Sequence, residues 1–190
     1  MARPLSEEKR EAILDAATDA VAAMGTSAPT SKIAKAAGVA EGTLFTYFPT
    51  KGDLLNALYL SIKSDMRRAV ADDALSFDDP HASFRRIWDG MIDWNVDHGA
   101  QSKAMRQLAV SDLITDESRQ AGSAAFREIE ALFAAVISKS ALKEEGIAFV
   151  GSFLQTLAET SAQFIAQQPE RRDHYKQLGF TMFWNAINAP

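Results

Sequence analysis

Apolar residues recur every three to four positions along most of the chain, and nowhere alternate with polar ones for long enough to make a strand. Ile13, Ala17, Val21 and Met24 form the first stripe, behind Ser6 as N-cap and with Glu7 and Glu8 at the positive end of the dipole; Gly25 closes it. Two short segments follow: Thr30 to Ala37, capped by Thr30, and Glu41 to Phe48, which must stop before Pro49. A long helix starts after Thr50, with Asp53 as its capping-box partner, and carries Leu54, Leu55, Leu58, Ile62, Met66 and Val70 toward Ala71. The acidic stretch from Asp72 to Asp79, with Asp73 and Asp78 inside it, reads as a linker closed by Pro80. Further helices are predicted from about His81 to His98 (ended by Gly99), Gln101 to Asp112, Thr115 to Ser138, Lys143 to Gln168 and Glu170 to Asn188. Pro4, Pro29, Pro49, Pro80 and Pro169 fall between these segments and Pro190 is last, so no proline interrupts a helix. The pattern predicts an all-α protein of about nine helices.

Within it, Ala34, Gly38 and Leu44 have helix-turn-helix spacing. Ala34 keeps the first helix thin where the second crosses it, Gly38 can take the positive φ of a sharp turn, and Leu44 pins the second helix back. Such a pair can lay its second helix in the major groove of DNA.

Composition narrows the alternatives. The 190 residues are 47% hydrophobic and 24% charged, ordinary for a globular protein. No apolar run reaches membrane-spanning length, and Glu7, Glu8 and Glu11 fall where a signal peptide needs an apolar core, so the expected location is the cytoplasm. The absence of cysteine excludes disulfides and thiolate chemistry. Enzyme chemistry finds little support. His81, His98 and His174 are scattered, with no Glu-x-x-His pair, no glycine-rich phosphate loop and no calcium-loop pattern; no metal or cofactor is expected. The formal net charge of −5 runs against DNA binding, but its distribution favours it. Between Pro29 and Lys51 the charges are Lys32, Lys35 and Lys51 against Glu41 alone, and Arg3, Lys9 and Arg10 lie in the leading arm.

The stretch Ser31 to Leu58 resembles the DNA-binding domain of the TetR family of transcriptional regulators. The shared pattern is Ile33-Ala34, Ala37-Gly38-Val39, Gly42-Thr43-Leu44-Phe45, Tyr47-Phe48, Lys51 and Leu54-Leu55. The resemblance implies a helix-turn-helix domain over residues 1–52 and a helical effector-binding and dimerisation domain over 53–190. It implies phosphate contacts from Thr30, Ser31 and Lys32 and from Tyr47 and Lys51, with Glu41, Gly42, Thr43 and Thr46 facing the groove. Two positions depart from the pattern: Phe45 stands where the family usually has Tyr, and Ala40 where it often has Ser, removing a hydroxyl at each. Ile33, Val39, Leu44 and Phe48 are expected in the core.

The helix from Lys143 to Gln168 places Ile147, Val150, Gly151, Leu154, Leu157, Ala158, Ser161 and Ile165 along one broad face, the helix from Glu170 to Asn188 offers Tyr175, Leu178, Phe180, Phe183, Trp184 and Ile187, and apolar residues lie on more than one side of both. The resemblance implies that these helices pair across a two-fold axis, Gly151 and Ser152 allowing close approach. Trp88, Met91 and Trp94, then Met105 and Leu108, then Phe126 and Phe133 form aromatic and Met-rich stripes. Such stripes are more often core packing than pocket wall; the functional reading is the lining of a pocket for an apolar or aromatic small molecule. The reading is a homodimeric, ligand-responsive regulator, a repressor, on a palindromic DNA operator. A helical interaction module without operator binding is the alternative, and a helical-bundle enzyme a more distant one.

Overall fold

Ten α-helices and two single turns of 3₁₀ helix make up the computed structural model, which describes residues 6–70, 75–140 and 142–188. No strand occurs among the described residues. Arg3, Pro4, Ala71, Asp72, Asp73 and Pro190 lie outside them. The helices are α1 (Glu7–Met24), α2 (Thr30–Ala36), α3 (Glu41–Tyr47), α4 (Lys51–Val70), α5 (Pro80–Asp97), α6 (Gly99–Ala109), α7 (Asp116–Ala124), α8 (Arg127–Ile137), α9 (Gly146–Gln167) and α10 (Arg172–Ile187). Gly99, expected to end a helix, instead begins α6 after His98 caps α5.

The predicted helix from Thr115 to Ser138 is two helices. Thr115 starts it as expected, its Oγ1 accepting from the Ser118 N–H at 3.2 Å. The helix then breaks after Ala124, and the Ala125 carbonyl accepts from Arg67 Nε at 2.7 Å. A side chain from α4 thus takes a carbonyl that helix end leaves open.

Contacts divide the chain into two compact units: the described residues of Met1–Ser64 with Gly99–Ala124, and those of Asp65–His98 with Ala125–Pro190. The first therefore holds α6 and α7 beside α1 to α3 and most of α4, a different grouping from a boundary at 52/53. Asn56 shows why. Its Nδ2 donates to the Leu113 carbonyl at 2.8 Å and its Oδ1 accepts from the Thr115 N–H at 3.0 Å, fastening the α6–α7 loop to α4. Gly122 lets α7 lie against Tyr59, where a Cβ would come within 2.8 Å of the ring. Burial there pushes the Tyr59 phenol above its ordinary value, with the Arg119 charge acting the other way.

The second unit is built around Trp88, fully buried on α5. Its indole N–H donates to the Lys176 carbonyl of α10 at 2.8 Å, and its ring stacks with Phe183. Burying a large apolar side chain of this kind contributes about 1.5–3 kcal/mol. Gly179 makes the approach possible, since a Cβ there would lie 2.5 Å from Trp88 Cζ2. Asp93 of α5 accepts from Arg172 at 2.6 Å and from Lys176 at 2.9 Å, a charged seam along the same helix pair.

Candidate nucleic-acid interface

The helix-turn-helix is built by local signals. Gly38 has φ +69°, and the Val39 N–H closes back on the Ala34 carbonyl at 2.9 Å. Ile33, Ala34 and Leu44 are buried to within about 1% and Phe48 to 4%, which fixes α3 across α2. Val39, expected in the core, is only half-buried.

With Leu44 and Phe48 turned inward, α3 presents Glu41, Gly42, Phe45 and Thr46 outward; Thr43 and Tyr47 are half-buried at its edges. Phe45 is 38% exposed, an apolar ring on an otherwise polar face. The Thr46 hydroxyl donates to the Gly42 carbonyl at 3.0 Å, leaving its oxygen free to accept. A Cβ at Gly42 would meet nothing within 4 Å, so the backbone there is open to a close approach.

Polar groups flank this face on both sides. Ser31 and Lys32 are exposed in the first turn of α2. Thr30, expected as N-cap, does not cap: α2 closes on the Pro29 carbonyl, which accepts from Lys32 and Ile33. The Thr30 hydroxyl donates instead to Glu41 Oε1 at 2.6 Å. On the other side the Tyr47 hydroxyl accepts from the Ser6 N–H at 3.0 Å. Next to it α4 begins with the expected capping box: Thr50 N–H donates to Asp53 Oδ2 at 2.9 Å and Thr50 Oγ1 accepts from Asp53 N–H at 3.1 Å. Lys51 sits half-buried in the first turn, beside that positive helix end.

A model of the bacterial regulatory proteins of the tetR family matches residues 13–58, the stretch that holds α2, α3 and the start of α4. A tetR family transcription regulator from Shewanella sp. PV-4 superposes with TM-score 0.81 at 26% identity, over 94% of this chain and 97% of that one. Over residues 13–58 the chain is similar to the TetR family, and its fold as a whole is similar to that of solved TetR regulators. Another TetR family transcription regulator, from Marinobacter aquaeolei VT8, gives TM-score 0.78 at 26% identity over 95% of each chain. In sequence, the HTH-type transcriptional regulator YhgD of Bacillus subtilis (strain 168) is 27% identical over 127 residues, 66% of this chain; the match spans 61% of that relative's length. FadR from Bacillus subtilis, solved in complex with stearoyl-CoA, shares the fold at TM-score 0.62 and 16% identity over 95% of this chain and 99% of that one. These TetR relatives are transcription regulators, not enzymes.

The predicted effector residues are distributed over both units of the chain. Met105 and Leu108 belong to the first, Trp88, Met91, Trp94, Phe126 and Phe133 to the second. Trp88 and Phe133 pack as core, Phe133 lying 4.5 Å from Phe84 between ring centroids. Trp94 differs. It is 3% exposed, yet its indole N–H is buried without a hydrogen-bond partner. A cleft of about 320 Å³ also opens in the second unit, between Phe77, His81, Leu132, Val136, Lys139 and Trp184. None of the predicted residues lines it.

The apolar surface of the last two helices matches the predicted one only in part, at Leu178 and Ile147. Val150, Leu154, Ala158, Ser161, Ile165, Phe180, Phe183 and Ile187 are buried inside the unit. The outward stripe is Phe149, Phe153 and Phe164 on α9, with Leu178 and Met182 on α10, each between 45% and 55% exposed. No helix among the described residues is long and apolar enough to cross a membrane, and none of their acidic and histidine side chains gather in a group that could hold a metal.

Proposed function

We propose that this protein is a homodimeric, ligand-responsive DNA-binding regulator, a repressor, acting in the cytoplasm on a palindromic operator. The observation that carries the reading is the outward face of α3, framed on one side by Ser31 and Lys32 and on the other by Tyr47 and Lys51. An α-helix fits the roughly 12 Å width of the major groove. The flanking hydroxyls and ammonium groups then meet phosphates, Lys51 together with the positive end of α4, while Gly42, Thr43, Thr46 and Glu41 meet base edges.

Two-fold pairing through Phe149, Phe153, Phe164, Leu178 and Met182 would present one recognition helix to each half-site. Successive major grooves lie about 34–36 Å apart, so the spacing of the two helices is the regulated quantity. An effector held in the 53–190 region shifts that spacing only through its differential affinity for the two arrangements. The buried, unpartnered N–H of Trp94 supports a site offering a donor to an otherwise apolar molecule that carries one acceptor. The stearoyl-CoA held by FadR is in keeping with an apolar effector.

A gel-shift with DNA from the protein's own promoter region tests the reading. A discrete shift, competed by the same duplex and not by an unrelated one, is expected. Absence of any specific shift, with or without candidate effectors, would leave the interaction-module alternative.

A further inference from the structure

A carboxylate on a face that meets DNA phosphates is repelled unless the DNA itself donates to it. Glu41 is such a group. It is exposed in the first turn of α3, and its Oε1 accepts from the Thr30 hydroxyl at 2.6 Å. It makes no other side-chain hydrogen bond or ion pair among the described residues, so Oε2 is uncommitted. The neighbouring Gly42 has open space where a Cβ would be, so a base edge can come close to this carboxylate.

A carboxylate only accepts. In the major groove guanine offers N7 and O6 and thymine offers O4, all acceptors. Adenine offers its N6 amino group beside the acceptor N7, and cytosine offers its N4 amino group with no acceptor next to it on the same base. We infer that Glu41 reads a cytosine amino group in each half-site. Thr30 is a positioning residue that aims the carboxylate. Having given its hydroxyl proton to Glu41, it does not give the same proton to a phosphate. This rests on the proposed placement of α3 in the major groove.

The test is selection of randomised duplex DNA by the full-length wild type and by Glu41→Gln, Thr30→Val and Thr30→Ser at one salt concentration. Wild type is expected to select cytosine at one symmetric position of each half-site. Glu41→Gln should move that position to adenine, because an amide pairs with N6 and N7 together, and should leave the others unchanged. Thr30→Val should lower the cytosine preference about tenfold at that position alone, and Thr30→Ser should restore it. Thermal melting checks that these surface variants fold. The inference is overturned if Glu41→Gln selects the wild-type motif. It is equally overturned if Thr30→Val weakens all sequences alike and lowers the salt slope, the behaviour of a phosphate anchor. A wild type with no sequence preference would instead overturn the DNA-binding reading beneath it.

Discussion

The Tyr47 hydroxyl accepts a hydrogen bond from the backbone N–H of Ser6 at 3.0 Å, joining the end of α3 to the start of α1. The bond satisfies an amide at a helix entry and fixes the direction of a half-buried ring. The hydroxyl keeps its own proton, so a phosphate bound there would find its donor already oriented.

Tyr47→Phe preserves the ring and removes both roles. The expected stability loss is about 1 kcal/mol, measured by chemical unfolding. DNA affinity should fall about equally across sequences, with the salt slope reduced by roughly one for each phosphate no longer bound. A variant as stable as wild type and with the same affinity would remove Tyr47 from the interface.

The α5–α10 seam predicts a dependence on acid. Burial alone would raise the Asp93 carboxyl, but hydrogen bonds from Arg172 and Lys176, with their charges, together hold it below the ordinary 3.8. A depressed carboxylate stabilises the fold above its unfolded value, and that contribution is lost as pH falls through the folded one. Asp93→Asn should therefore melt below wild type at neutral pH, with the gap closing as pH drops below about 3.8. The side chain is 43% exposed, so solvent screening keeps the gap small. Melting curves from pH 7 to 3 give the comparison, and a gap that does not change with pH would contradict the assignment.

The outward stripe on α9 and α10 predicts how the dimer comes apart. Phe153→Glu together with Met182→Glu places charges on side chains that are 47% and 55% exposed, outside the core of the unit. Sedimentation should report a folded monomer at micromolar concentration, and operator affinity should be lost with dimerisation. A dimer of unchanged strength would place the interface elsewhere.

Trp94 gives a spectroscopic handle on the effector. Binding of an apolar molecule with one acceptor should change tryptophan emission, and Trp94→Phe should abolish that change and weaken binding about fivefold to tenfold, the scale of one hydrogen bond. Trp88, whose N–H is already committed to Lys176, is the internal control. An emission change that survives in Trp94→Phe would assign the response to another tryptophan.

What was legible in the chain was local. Gly38 at φ +69°, the Thr50–Asp53 capping box and the buried Leu44 all follow from neighbours within a few residues. What was not legible depended on distant partners. Thr30 looks like a helix cap until Glu41 is seen within 2.6 Å of its hydroxyl. Gly122 precedes the break after Ala124 by two residues but serves the contact with Tyr59, and the break itself is visible only where Arg67 takes the Ala125 carbonyl. On α9 apolar residues line both sides, so periodicity could not say that Val150 and Leu154 turn inward while Phe149 and Phe153 turn out. The orphan N–H of Trp94 likewise has no signature in sequence.

The central claim is that two copies of α3 read two symmetric half-sites, and a footprint of the full-length dimer on its selected operator tests it most directly. The predicted result is two protected major-groove segments related by a two-fold axis, with centres one turn or a whole number of turns apart. Lys51→Ala should weaken both equally, and Thr43→Ala should relax one base position in each, costing about 1–3 kcal/mol if the contact is to a base. Protection without two-fold symmetry, or protection unchanged in both folded variants, would contradict the account.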